Sequence, residues 1–102
     1  MAQTGSFIQI IQMTTDRYDE VDKLHTQYQQ DMKGKTSAQL ATVTKNLDTP
    51  NSYTIIVEFP DQKSAMENSN DPRTQELAEQ MQKLATAPSV FQNLEVTRVD
   101  KL

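Results

Sequence analysis

Tyr53-Thr54-Ile55-Ile56-Val57-Glu58-Phe59-Pro60 sorts the rest of the chain into elements. Tyr53, Ile55, Val57 and Phe59 alternate with Thr54, Ile56 and Glu58, which is the period of a β-strand. Pro60 closes the run, because it brings no amide proton to a ladder. Upstream, Asn46-Leu47-Asp48-Thr49-Pro50-Asn51 has turn chemistry. Before that turn, Ala38 to Lys45 is rich in β-formers and alternates Leu40, Thr42 and Thr44 with Ala41, Val43 and Lys45. Two alternating runs joined by a turn predict an antiparallel hairpin.

Working outward, Phe7 to Met13 reads as a first strand, with Ile8 and Ile10 on one face and Phe7, Ile11 and Met13 on the other. Thr14, Thr15 and Asp16 offer helix N-caps, and Asp16, Asp19 and Glu20 put negative charge where the helix dipole favours it. Tyr18, Val21, Leu24, His25, Tyr28 and Met32 then recur at helical spacing, with Lys33, Gly34 and Lys35 suited to the helix end. Beyond the hairpin, Asp61 to Ser69 predicts a short helix interrupted by Asn68-Ser69-Asn70-Asp71. Asp71 as cap and Pro72 as first helical residue start another helix, which carries Leu77, Ala78, Met81, Leu84 and Ala85 on one face and ends before Pro88. Val90 to Val99 alternates again and predicts a last strand. The order β-α-β-β-α-β is the ferredoxin-like arrangement, an α+β fold with one antiparallel sheet and helices on one face, here one domain over residues 1–102. Apolar residues on both faces of the first strand predict that a second copy covers the sheet's bare side, a homodimer; the alternative is a monomer with that side wet.

Composition removes whole classes of function. The 102 residues contain no cysteine, no tryptophan and a single histidine. Disulfides, thiol nucleophiles, thiolate metal sites and a multi-histidine metal site within one chain are excluded. With 10 basic and 14 acidic residues the net charge is −4, which gives no basic footprint for nucleic acid. The glycines, Gly5 and Gly34, cannot form a phosphate-binding loop. No apolar run is long enough for a membrane span and no targeting segment is visible, so a cytoplasmic protein without a membrane partner is expected.

The third strand runs into Ser64-Ala65-Met66-Glu67-Asn68-Ser69-Asn70-Asp71-Pro72-Arg73-Thr74, and the chain closes with Pro88-Ser89-Val90-Phe91-Gln92-Asn93-Leu94-Glu95-Val96. This succession resembles the dimeric α+β barrel superfamily, and within it the small single-domain proteins of the antibiotic biosynthesis monooxygenase-like group. In that group a strand ending in an acidic or aromatic residue precedes a short helix with an alanine, two variable residues, a polar residue and a serine, here Ala65 to Ser69. The resemblance implies a homodimer whose sheets face each other, with a pocket in each subunit between sheet and helices. It also implies a range of activities, from cofactor-independent oxygenation of polycyclic phenols to haem degradation and lactone isomerisation, so the fold does not fix the function. Many relatives carry a histidine where this chain has Asn68. The haem-degrading branch needs a tryptophan and a late histidine that Asp61 to Thr86 lacks, which argues against haem degradation.

Candidate site residues follow from chemistry. His25 is the imidazole available for acid–base work near neutral pH, set against a half-packed boundary histidine. Tyr18 and Tyr28 offer phenolic donors, set against packing on a helical stripe. The Asn68 amide can orient a carbonyl or dioxygen without titrating, set against a helix-ending asparagine. Glu58 is a lone acid among apolar strand residues. On a covered face it is a candidate base; on a rim it is a salt-bridge partner, with Arg98 of the last strand as the expected partner. His25 and Asn68 are thus the catalytic candidates, and Tyr28, Glu58 and Arg98 the ligand-binding ones. No metal or cofactor is expected. Two functions fit: a cofactor-independent monooxygenase acting on a small aromatic or polyketide-type substrate, or a non-catalytic homodimer, either a binder of a small molecule or protein partner or a stress-response protein.

Overall fold

A computed structural model describes residues 3–102. Strand β1 (Phe7–Thr14) leads to helix α1 (Tyr18–Asp31), strands β2 (Leu40–Lys45) and β3 (Ser52–Phe59), helices α2 (Gln62–Ser69) and α3 (Pro72–Leu84), and strand β4 (Val90–Glu95). The strands form one sheet in the order β2-β3-β1-β4, with every neighbour antiparallel. This is the ferredoxin-like α+β arrangement that the element order predicts.

Register sorts the side chains between two faces. On the helix side, Val57 lies between Ala41 and Gln9, Ile55 between Val43 and Ile11, and Phe59 beside Phe7. Phe7, Phe59 and Ala65 of α2 form a core cluster, with the two phenyl rings 6.3 Å apart and tilted by 57°. Phe59 is 2% exposed. Replacing Phe59 with alanine therefore costs about 3–5 kcal/mol of stability, read as a lower urea midpoint at unchanged slope.

The other face has three cross-strand rows: Leu40, Glu58, Ile8, Leu94; Thr42, Ile56, Ile10, Gln92; and Thr44, Thr54, Gln12, Val90. No described element packs on it. Leu40, Leu94 and Val90 remain 48%, 42% and 53% exposed.

Helix ends follow their local chemistry, with one exception. Asp61 caps α2 by accepting from the Ser64 amide at 2.7 Å, and Asp71 caps α3 by accepting from the Arg73 amide at 2.8 Å. The donated hydrogen bonds hold both carboxyls below their ordinary titration range. For α1 the expected cap is corrected: Arg17 occupies the cap position with no side-chain bond. The Thr15 hydroxyl is fully buried and committed elsewhere. It donates to the Leu84 carbonyl at 2.7 Å, satisfying an open carbonyl at the end of α3, and accepts from the Arg17 amide at 3.0 Å.

Two strand ends also differ from expectation. β2 starts at Leu40 rather than Ala38, because the Thr36 hydroxyl takes the Ala38 amide and the Ser37 hydroxyl donates to the Ser64 carbonyl. β4 ends at Glu95 rather than Val99. Val96 still pairs with Gly5 and Ser6, which precede β1, and beyond Val96 no described residue pairs with the chain. In the turn before β3, Asn51 takes a left-handed φ of 60°, which asparagine tolerates.

Candidate functional site

A cavity of about 300 Å³ lies between the sheet and the three helices. Its sheet wall comes from Ile11 of β1 and from Ile55, Val57 and Phe59 of β3. Helix α1 contributes His25 and Tyr28, three residues apart on one stripe, with Met32 just beyond its end. Helix α3 contributes Thr74, Leu77 and Met81 at the same spacing, and Asn68 enters from the end of α2. The walls are thus largely apolar, with a few polar groups at fixed places, which is the usual build of a small-molecule site.

Four of the polar side chains, Thr36, Asn68, Tyr28 and Thr74, form one chain. The Thr36 hydroxyl accepts from the Ala38 amide and donates to Asn68 Oδ1 at 2.8 Å. Asn68 Nδ2 then donates to the Tyr28 hydroxyl at 3.4 Å, and Tyr28 shares a 2.7 Å hydrogen bond with Thr74 Oγ1. The chain ties the segment after α1 to all three helices. When Thr74 is the donor, the Tyr28 oxygen accepts two hydrogen bonds and its own proton is free for a ligand oxygen. Replacing Tyr28 with phenylalanine removes the middle of the chain and lowers stability by about 1 kcal/mol. Chemical denaturation with matched slopes checks this value.

Burial holds the His25 imidazole below its usual titration range, and the nearby Asp22 carboxylate opposes that shift. The neutral form, which can accept a proton, is therefore the one favoured near neutral pH.

The structure brings His25, Tyr28 and Asn68 to the same cavity. It does not bring Glu58 or Arg98 there. Glu58 belongs to the opposite sheet face, and its Oε1 is buried without a hydrogen-bond partner. The expected pair of Glu58 with Arg98 is not formed. Arg98 lies beyond β4, 80% exposed in its side chain, and is held 2.9 Å from Asp100. Tyr18 is engaged away from this chain, stacked on Tyr53 with ring centroids 4.4 Å apart. Thr36 and Thr74 are the members that sequence reasoning missed. Thr74 was accessible by extending the Leu77 and Met81 stripe back one turn. Thr36 was not, since it meets Asn68 across 32 residues of chain. Among the described residues, no three His, Asp or Glu side chains gather to hold a metal ion. Nor is any described helix long and apolar enough to cross a membrane.

No protein-family model and no curated protein matches this sequence. Solved structures do. A candidate antibiotic biosynthesis monooxygenase from Caulobacter crescentus superposes with a TM-score of 0.81 at 9% identity, covering 93% of this chain and 92% of that one. A conserved protein from Methanosarcina mazei gives 0.81 at 10% identity, over 91% and 94% of the two chains. SnoaB, a cofactor-independent oxygenase from Streptomyces nogalater, gives 0.78 at 14% identity, over 93% and 96%. The fold is that of the antibiotic biosynthesis monooxygenase-like proteins, matched along nearly the whole chain. At these identities the likeness speaks for the fold alone.

Proposed function

We propose that this protein is a cofactor-independent monooxygenase-like enzyme that oxidises a small aromatic or polyketide-type substrate in the cavity between its sheet and helices. The observation that carries this reading is the convergence of His25, Tyr28 and Asn68 on one largely apolar cavity. The fold shared with SnoaB supports it.

In this reading the substrate supplies its own electrons. The His25 imidazole takes a proton from an activated CH₂ flanked by aromatic or carbonyl groups. The Tyr28 hydroxyl and the Asn68 amide donate to the oxygen on which the resulting negative charge collects. The carbanion passes electrons to dioxygen and forms a carbon–oxygen bond to a peroxide. Loss of the remaining C–H proton with cleavage of the O–O bond gives a carbonyl and water. Overall, R₂CH₂ + O₂ → R₂C=O + H₂O, and the proton held by His25 leaves with the water. The apolar wall keeps bulk water from quenching the carbanion.

We also propose that the enzyme works as a homodimer joined through the exposed face of its sheet. Supporting this are Ile8, Ile10 and Ile56 at the centre of that face and the partly exposed Leu40, Leu94 and Val90 around them.

The test is dioxygen uptake coupled to formation of the carbonyl product across a panel of fused-ring phenols with an activated CH₂. Binding with no dioxygen consumed across that panel would replace the enzyme reading with a non-catalytic, small-molecule-binding homodimer.

A further inference from the structure

The chain carries 14 acids against 10 bases, yet no Asp or Glu lines the cavity. The fully charged side chain on its wall is Lys33, which follows the end of α1 just before the left-handed Gly34. The same helices carry their acids elsewhere. Asp31 of α1 and Glu76 of α3 line a separate, smaller groove between these two helices, where Asp31 also lies near the Arg73 guanidinium. Lys33 takes part in no salt bridge among the described residues. Gln9, Gln29 and Gln39 add amide donors to the same wall. A net-negative protein has here a largely apolar chamber free of acids, lined in part by one exposed lysine that makes no salt bridge among the described residues.

We infer that the cavity selects an aromatic acid in its ionised form, with the fused-ring body against Ile55, Val57 and Met81 and the anionic group at Lys33. Lys33 is then a specificity-determining residue. A charge left in contact with water costs little to desolvate, so an ammonium on an exposed part of the wall can discriminate without burying an ion pair. This inference rests on the reading of the cavity as the substrate site.

Naphthoate and naphthamide share one shape and differ in charge, so they separate the two ideas. Protein labelled with ¹³C at its methionine methyls reports occupancy, because Met32 and Met81 line the cavity whereas Met13 and Met66 do not. Naphthoate is expected to shift the Met32 and Met81 signals at lower concentration than naphthamide. Lys33→Gln should weaken naphthoate about fivefold, the size of an exposed ion pair, and leave naphthamide unchanged. Added salt should narrow the gap between the two ligands. If naphthamide binds as tightly as naphthoate, or if Lys33→Gln weakens both equally, selection for the anion is wrong while the cavity remains the binding site. If neither ligand moves Met32 or Met81, both this inference and the cavity reading fall.

Discussion

A His25→Ala protein should consume dioxygen about 10²- to 10⁴-fold more slowly than the parent on any accepted substrate, with KM little changed. Removing the proposed base would withdraw an interaction made mainly in the transition state, so the loss would belong in kcat. The pH profile carries a sign. The base works unprotonated, and burial lowers the His25 titration below the usual histidine range. Activity should therefore persist to lower pH than an ordinary histidine allows, and then fall as His25 is protonated. The same shift links to folding. A histidine whose folded value is depressed is protonated first in the unfolded chain, so stability is retained above the unfolded value. It declines as pH drops through that value toward the folded one. His25→Ala should remove this part of the acid sensitivity as well as the turnover. A variant that keeps the parent kcat would place the base elsewhere.

How much of this was legible in the sequence depends on the reach of each signal. Period-two alternation in Tyr53–Phe59 marks a central strand, because its inward residues pack against the helices, whereas Phe7–Met13 is marked by apolar residues on both of its faces. Asp61 and Asp71 announce two helix starts because a cap is a contact between near neighbours. Thr15 shows the limit of that rule. Its hydroxyl is drawn to the Leu84 carbonyl, 69 residues away, and no local pattern records that demand. The site divides in the same way. His25 and Tyr28 share a helical stripe and so were read together, whereas Thr36 joins Asn68 through folding of distant segments. Glu58 and Arg98 were paired by strand logic that assumed β4 continued to Val99. β1 begins at Phe7, the extension of β4 pairs with described residues only as far as Val96, and Arg98 turns to Asp100 two residues on.

Replacing Ile10 with aspartate should convert the proposed dimer to monomer without unfolding the chain. Ile10 lies in the central row of the exposed sheet face, between Ile56 and Gln92. A two-fold interface would bury the new carboxylate once from each copy, at several kcal/mol per unpaired charge. The dimer dissociation constant should then rise at least about 10³-fold. The Phe7, Phe59 and Ala65 cluster lies on the opposite side of the sheet, so the urea midpoint of the isolated subunit should fall by less than a core truncation would cause. Leu47→Asp is the control, since Leu47 is 92% exposed in the β2–β3 turn and should leave assembly intact. Sedimentation analysis of the three proteins decides the matter. A parent protein that sediments as a monomer at all concentrations would remove the dimer. Turnover measured on the Ile10→Asp monomer asks a further question of the same strand. Ile11, the next residue, faces the cavity. One strand therefore presents adjacent isoleucines to the proposed interface and to the candidate site. If each chain holds a complete site, as the placement of His25, Tyr28 and Asn68 within one chain allows, the monomer keeps its kcat while losing its partner.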